Sequence, residues 1–375
     1  MPPGDRVAPH PQAMRDWARV KTQTPTAPTG SLERERLLEP LMGSDGAGII
    51  VVRAPAGSGK TTLLAQWASL DRARDFAWVS LDESDNDVVT LWRRIVDAMG
   101  VAAPEEAASA TEHITRASPD VTGAVIPSVL NGVRERDRPL VLVLDDYHAI
   151  TDQGCHDSVR QLALTLDGPF MVIISSRIEP PVNLARLKVH GRAHLLSEGD
   201  LAFNGSEVVQ LLARHGIRPT EQLATQLLTE TDGWATGVHL SIGRPSTDNA
   251  DLRRSAQRAL IRDFLMEEVL DPMDPADLDF LRRCSVLTTL SPALCERVTQ
   301  SSEAERRLAA LSKGNVLLTE VDQKSHIYRL HHLLREALQD DLRQRDREAF
   351  DHHQARAAQW FIDHDRPTEA CLLYT

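Results

Sequence analysis

The chain has 375 residues, which suggests two or three domains and is long enough for an apolar core without metal or disulfide support. A net charge of −12 excludes a protein that binds nucleic acid or an anionic membrane over its whole surface. Aromatic residues, at 4%, are too few for base-stacking platforms. We expect no membrane span, because no apolar run approaches ~20 residues, and no secretory leader.

The four cysteines form no Cys-x-x-Cys pair, which predicts reduced thiols, no thiolate zinc site and a cytoplasmic protein. They are Cys155, Cys284, Cys295 and Cys371. The adjacent histidines His352 and His353 are interpreted as surface residues, because neighbouring helix positions do not face one metal ion.

Residues 1–28 contain six prolines and predict a mostly disordered tail, with a short helix around Met14 to Val20. Order is expected to begin near Leu32. From there, three leucines at helical spacing predict a first helix, namely Leu37, Leu38 and Leu41.

From residue 49 to about residue 200, apolar runs that predict strands alternate with segments that predict helices. The strand predictions are 49–52, 76–81, 139–144 and 170–174, and the helix predictions include 62–70, 90–99 and part of 101–120. Strands separated by helix-length segments indicate βαβ units. The sequence therefore predicts an α/β fold for residues 29–200, a parallel sheet with helices on both faces.

Beyond about residue 200 the strand signal fades. Helices are predicted at 207–215, 221–229, 234–242, 251–269, 278–286, 292–299 and 302–311, and a hairpin at 315–319 and 326–330. Helices closed by a hairpin are typical of a winged-helix domain. We therefore predict a helical domain at 201–272, a winged-helix domain at 273–344 and further helices, the start of a helical arm, at 345–375.

The segment that follows the first predicted strand nearly matches the P-loop pattern G-x-x-x-x-G-K-[ST]. It reads Ala54-Pro55-Ala56-Gly57-Ser58-Gly59-Lys60-Thr61-Thr62, with Ala54 where the first glycine usually stands. Its two glycines allow backbone N–H groups to surround a phosphate, Lys60 supplies charge, and the Thr61 hydroxyl is a ligand for Mg²⁺. The alternative is a glycine-rich turn that matches by chance.

Two further groups of polar residues follow buried strands. Asp145 and Asp146 end one strand, where ligands bind in open α/β sheets; we assign Asp145 to Mg²⁺ and Asp146 to polarising the attacking water. Arg177 follows the next strand and would contact the γ-phosphate, with a surface ion pair to Glu179 as the alternative. Together these residues predict a nucleoside triphosphatase core that uses ATP or ADP with Mg²⁺.

Six strings in this order resemble the signal-transduction ATPases with numerous domains, a class that includes NLR-like proteins. More narrowly, they resemble the MalT-like branch of LuxR-type transcriptional regulators, from about residue 30 to about residue 370. The strings are 54–62, 78–87, 144–148, 180–187, 233–237 and 328–335. One departure is Ala235, which stands where the wider class has proline.

The resemblance implies a switch rather than a metabolic enzyme, with an ADP-bound closed resting form, an ATP-bound self-associating form and slow hydrolysis. It places Leu32 and Arg34 at the adenine and His331 of the winged-helix domain at the ADP β-phosphate. It gives the residues of the P-loop the roles that the motif predicts for them. Asp145, Asp146 and Arg177 likewise keep the roles assigned to them above. The alternative for His331 is a packing or solvated side chain beside His332.

Full-length relatives of this kind continue into a helical-repeat domain that binds an inducer and then a C-terminal helix-turn-helix. We expect this chain to be a fragment or an incomplete gene product that lacks the DNA-binding part. The expected partners are a small-molecule or protein inducer, a second copy of the chain in the ATP state, and DNA only through the absent part. No membrane partner is expected.

Two other functions are compatible with a P-loop. A constitutive ATPase of the remodelling or clamp-loader type would need an arginine that acts in trans, and no arginine can be assigned to that role from sequence. A scaffold with a purely structural nucleotide would lose stability, but not assembly, when Lys60 is replaced.

Overall fold

The structure is a computed structural model that describes residues 21–43, 48–182, 185–243, 250–314, 317–322 and 324–373. The predicted helix at Met14 to Val20 lies outside these residues, as do Asn315 and Val316 of the predicted hairpin. The chain forms two compact units. The first contains the residues up to Arg53 together with Lys60–Asp200, and the second contains Ala54–Gly59 together with the residues from Leu201 onward.

The first unit is built on a five-stranded sheet in which every pairing is parallel, in the order β2-β3-β4-β1-β5. The strands are β1 Gly48–Arg53, β2 Asp75–Ser80, β3 Leu140–Asp145, β4 Phe170–Ser176 and β5 Ala193–Leu196. The central strands β3 and β4 are buried at every position, which explains their unbroken apolar sequences. The predicted α/β fold is confirmed.

The edge strand β5 is the one that sequence analysis did not identify. It has four residues, and His194 and Leu195 within it are exposed. A strand this short carries no clear alternation of apolar and polar residues. It is a strand because β1 lies beside it, with Ile49 opposite Ala193 and Val52 opposite Leu196.

Helices cover the sheet of the first unit. They are α1 Glu35–Met42, α2 Lys60–Leu70, α3 Val88–Ala102, α4 Pro104–Ile114, α5 Ile126–Arg134, α6 Gln153–Thr165, α7 Ala185–Val189 and α8 Glu198–Leu201. Aspartates begin two of them: the Asp87 carboxylate accepts from the N–H of Thr90, and that of Asp152 accepts from the N–H of Cys155. Trp92 of α3 is fully buried, and its indole N–H donates to the Ser158 hydroxyl.

Lys21 is bound to the first unit by ion pairs. The Lys21 ammonium lies 2.6 Å from a carboxylate oxygen of Asp85 and 2.7 Å from one of Asp82. Asp85 is fully buried, so its charge requires cations, and Arg94 supplies a second one at 3.2 Å. These ion pairs attach Lys21 to the first unit, and the disordered tail expected at residues 1–28 stays a prediction.

The second unit is helical apart from a two-stranded hairpin. Its helices are α9 Gly205–Arg214, α10 Glu221–Thr231, α11 Ala235–Ile242, α12 Ala250–Leu265, α13 Pro275–Cys284, α14 Pro292–Thr299, α15 Ala304–Lys313, α16 His332–Arg345, α17 Arg347–Asp363 and α18 Pro367–Leu372. The hairpin strands, β6 Leu318–Asp322 and β7 Ile327–Leu330, pair antiparallel, with Leu318 opposite Leu330. Sequence analysis predicted both the helices and the hairpin.

One apolar core joins α12 through α18 to the hairpin, and its fully buried members include Leu281, Leu334 and Leu338. The Tyr328 backbone of β7 also pairs with that of Leu290, which connects the hairpin to the segment between α13 and α14. Among the described residues, no helix is both long enough and apolar enough to cross a membrane.

The contact between α4 and α5 depends on a glycine. A Cβ atom at Gly132 would lie 2.2 Å from the backbone oxygen of Glu106. We expect Gly132→Ala to lower the free energy of unfolding by about 1–3 kcal/mol, because the two helices must separate. Urea denaturation followed by circular dichroism measures this change.

Gly100→Ala is the matched control, since a Cβ atom at this helical position meets nothing within 4 Å. It should raise the free energy of unfolding by up to about 1 kcal/mol, because alanine is the better helix former. Equal effects of the two substitutions would contradict the close approach of α4 and α5.

Candidate phosphate-binding site

Polar side chains of the first unit meet at the carboxyl ends of adjacent strands. Strand β4 lies between β1 and β3, so the residues that follow these strands share one edge of the sheet. Lys60 and Thr61 begin α2, and Asp145 ends β3. The Thr61 hydroxyl donates to a carboxylate oxygen of Asp145 at 2.8 Å, so the two residues assigned to Mg²⁺ are in direct contact.

Asp145 is 2% exposed, and burial followed by the charge of Asp146 raises its pKa. Its carboxylate accepts from the Thr61 hydroxyl and from the backbone N–H of Asp146 at 3.1 Å. A buried carboxylate beside a hydroxyl is a set of hard oxygen donors, which suits Mg²⁺. A divalent cation at this point would offset both causes of the raised pKa.

Lys60 is buried next to these carboxylates. Burial lowers the pKa of Lys60 from 10.5 to about 8, while Asp146 raises it, Arg177 lowers it and Asp145 raises it. An anionic ligand would stabilise the charged form of Lys60, because phosphate charge compensates for the water that burial removes. The arrangement therefore suits a bound phosphate.

Asp146 and Arg177 lie at the same edge. Asp146 is partly exposed and has a left-handed backbone with φ 55°. Next to it is His148, whose pKa is lowered to about 4 by burial and then by Arg177 and Lys60. Glu179, the alternative partner of Arg177, forms an ion pair with Arg53 at 3.0 Å.

Leu32 and Arg34, which the resemblance places at the adenine, are both buried in the first unit. The side-chain amide of Gln66 donates to the Leu32 carbonyl and to the Ser31 hydroxyl, both at 3.0 Å. Gln66 belongs to α2, whose first residue is Lys60. This segment is therefore attached to the same helix that begins at Lys60.

The loop Ala54–Gly59 groups with the second unit, and residues at the start of α11 bond to its carbonyl oxygens. The Trp234 indole N–H donates to the Ala56 carbonyl at 2.9 Å. The backbone N–H and the hydroxyl of Thr236 both donate to the Gly57 carbonyl at 3.0 Å. None of these bonds uses a backbone N–H of the loop.

The glycines of this loop are required by its shape. Gly57 and Gly59 have φ of 71° and 84°, and a Cβ atom at Gly57 would lie 2.4 Å from the Thr236 hydroxyl oxygen. The Ser58 hydroxyl is buried and lacks a hydrogen-bond partner within the described part of the chain. A phosphate oxygen would satisfy it, so the loop fits such a ligand.

His331 lies at the start of α16 in the second unit, and its side chain is 8% exposed. Its Nδ1 accepts from the Leu333 N–H at 3.3 Å, so Nε2 carries the proton and donates to the Thr231 carbonyl at 3.2 Å. Burial and then His332 lower the pKa of His331 to about 4, although Asp232 opposes this, so the imidazole is neutral at pH 7. The His331 ring contacts the edge of the Trp234 ring, at 6.1 Å between centroids.

Trp234 and Thr236 are the functional residues whose role sequence analysis missed. The string 233–237 was noted as part of the resemblance, but nothing in it indicates that its side chains bond to residues 56 and 57. The partner lies almost 180 residues away, at sequence separations of 178 and 179. The substitution of proline by Ala235 leaves these contacts in place.

Two family models match parts of the chain: an AAA ATPase domain at residues 32–173 and the MalT winged helix domain at residues 266–350. A MalT regulator of Yersinia enterocolitica is 32% identical over 320 residues, covering 84% of this chain and 35% of that protein. The Serratia proteamaculans MalT is 30% identical with the same coverage. A Walker-type ATPase of Pyrococcus abyssi has the same fold at a TM-score of 0.56 and 15% identity, covering 84% of this chain and 98% of that one.

The fold and the matched families define a P-loop ATPase domain followed by a winged-helix domain. The chain belongs to the MalT-like branch of the signal-transduction ATPases with numerous domains. It spans about a third of the length of the curated MalT regulators it matches, 35%. The activity and the partners of those whole regulators are therefore only a basis for proposals about this chain.

The lowered pKa of Lys60 predicts how nucleotide affinity depends on pH. Above pH 8 the ammonium is increasingly deprotonated in the free protein, whereas bound phosphates will raise its pKa. Nucleotide binding will then take up about one proton. Above pH 8 the affinity for ADP will therefore fall as the pH rises, by up to about tenfold per pH unit. Calorimetry of ADP binding at pH 9, in buffers of different ionisation enthalpy, measures this proton uptake.

Lys60→Arg provides the control, because a guanidinium keeps its charge throughout this range. Its proton uptake at pH 9 should be absent, whatever its affinity. A wild-type affinity that stays constant from pH 8 to pH 10 would show that Lys60 does not contact the phosphates.

Proposed function

We propose that this chain is the nucleotide-switch core of a transcriptional regulator. In this proposal it binds ADP in a closed resting form and ATP with Mg²⁺ in a self-associating form, and hydrolyses ATP slowly. The observation that carries the proposal is the pairing of Thr61 with buried Asp145 beside a desolvated lysine.

The residues have distinct roles in this proposal. Lys60 and the N–H groups of the loop bind the phosphates, while Thr61 and Asp145 hold Mg²⁺, which would neutralise phosphate charge. Asp146 polarises the attacking water, and Arg177 contacts the γ-phosphate. Leu32 and Arg34 border the adenine.

Within the second unit, Trp234 connects the loop Ala54–Gly59 to the winged-helix domain. Trp234 bonds to the loop at Ala56 and packs against His331 with the same indole ring. We propose that His331 donates its Nε2 proton to the ADP β-phosphate after leaving the Thr231 carbonyl. The winged-helix domain would then respond to loss of that contact, which is how a local change at a phosphate biases a two-state element.

The remaining partners follow from the relatives, whose names describe HTH-type transcriptional regulators. We propose that an inducer acts on the full-length protein through segments beyond those of this chain, and that DNA is bound by a helix-turn-helix outside it. The location we propose is the cytoplasm.

Replacing Asp146 tests the switch. Asp146→Asn keeps a residue that tolerates φ 55° but removes the carboxylate that polarises water. We expect this variant to retain ATP and to elute as a larger species with Mg²⁺-ATP than with Mg²⁺-ADP. Size-exclusion chromatography with light scattering, together with chromatography of the released nucleotide, measures both effects.

Lys60→Ala is the control, and it should bind neither nucleotide and give one elution profile. Identical profiles of Asp146→Asn with ATP and with ADP would contradict the switch. A fast steady-state turnover of the wild-type protein, with no ADP retained after purification, would instead favour a constitutive ATPase.

The contacts of His331 and Trp234 predict the rate at which ADP leaves. His331→Ala removes the proposed phosphate donor, and Trp234→Phe removes the bond to the Ala56 carbonyl while keeping an aromatic ring. Each variant should release ADP about fivefold faster or more, because a hydrogen bond contributes about 1 kcal/mol. Stopped-flow displacement of a fluorescent ADP analogue measures this rate.

Trp360→Phe, the same substitution in α17 of the second unit, should leave the rate unchanged. If His331→Ala released ADP at the wild-type rate, His331 would be a packing residue. If only Trp234→Phe were unchanged, the loop would keep its shape without the indole bond.

A further inference from the structure

Three potential metal ligands converge where α10 ends and α16 begins. A carboxylate oxygen of Asp232 lies 3.3 Å from Nδ1 of His332 and 3.7 Å from Nε2 of His331. One ligand atom from each residue lies within 4.8 Å of the other two. Ligand atoms of a tetrahedral zinc site are about 3.4 Å apart, as bond lengths of about 2.1 Å require.

His332 uses Nε2 for a hydrogen bond to a backbone carbonyl, which leaves Nδ1 as the nitrogen that could bind a metal. Its Nε2 faces the backbone carbonyl of Glu230, and a carbonyl accepts hydrogen bonds only, so Nε2 carries the proton. Its Nδ1 lies 3.3 Å from a carboxylate oxygen of Asp232, so the ligand atoms of these two residues face each other.

A carbonyl that fixes the tautomer of a ligating histidine is the usual arrangement behind metal sites. The Asp232 backbone has φ 49°, a left-handed conformation that brings its carboxylate to the two histidines. Asp232 is largely exposed and His332 is partly exposed, at 65% and 27%, so an ion can enter and keep a water ligand.

We propose that Asp232, His331 and His332 form a binding site for a zinc-like divalent transition metal. Asp232 contributes an oxygen, His332 contributes Nδ1 and His331 contributes Nε2, with water in the fourth position. His331 has to move its proton to Nδ1 and give up its bonds to Leu333 and Thr231, so it binds more weakly than His332. A site with two imidazoles and one carboxylate favours Zn²⁺ over Mg²⁺ or Ca²⁺.

Cobalt is the spectroscopic probe for this site. Tag-free protein, stripped of metal with a chelator and kept free of nucleotide, is titrated with Co²⁺ and then with Zn²⁺. We expect one Co²⁺ per chain with the strong visible absorption of a tetrahedral ion, displaced by Zn²⁺. His332→Ala should abolish this absorption, and Asp232→Asn should weaken Co²⁺ binding at least about tenfold.

Asp232→Asn is the most informative variant, because asparagine fits the left-handed backbone and differs from aspartate only in its charge and ligand atom. The controls are His352→Ala, an exposed histidine in the same unit, and Cys371→Ser, which removes an exposed thiol. Both should bind Co²⁺ as the wild type does.

Absence of the tetrahedral absorption, or its persistence in both Asp232→Asn and His332→Ala, would overturn the proposal. Its loss in Cys371→Ser would also do so, since the thiol would then be the ligand. The metal would occupy the same Nε2 of His331 that the nucleotide-switch proposal assigns to the ADP β-phosphate, so metal and ADP would exclude each other at His331. The titration contains no nucleotide, and either result therefore leaves the nucleotide-switch proposal to its own tests.

Discussion

The hydrogen bonds from Trp234 and Thr236 to the carbonyl oxygens of Ala56 and Gly57 are the interactions on which the site depends. They hold a loop whose glycines have positive φ and whose buried Ser58 hydroxyl has no partner among the residues described. A loop whose carbonyls are bonded in this way is preorganised, so a phosphate does not have to order it. The indole of Trp234 also contacts His331, so one side chain joins the loop to the winged-helix domain.

Electrostatics explains why the strand ends suit a charged ligand. Lys60 and Asp145 are both buried, and burial shifts both pKa values toward the neutral forms. Phosphate charge would favour the ammonium, and a divalent cation would favour the carboxylate. The free protein therefore bears a desolvation cost that a nucleotide with its metal would offset.

Motifs and periodicity predicted most of the first unit and of the candidate site. The buried strands β3 and β4 were evident as unbroken apolar runs, and the residues that follow them lie together because parallel strands end at one edge. Other features had no local signal. Strand β5 exists because β1 lies beside it, and Lys21 pairs with Asp85, 64 positions away.

The sequence alone determined the fold class, the position of the P-loop motif and the resemblance to MalT-like ATPases, because these depend on local patterns and short motifs. Tertiary structure decided which side chains complete the site. Trp234 bonds across 178 residues, and Asp232 reaches His332 across 100. Contacts at such separations depend on how helices pack, and no pattern of neighbouring residues encodes them.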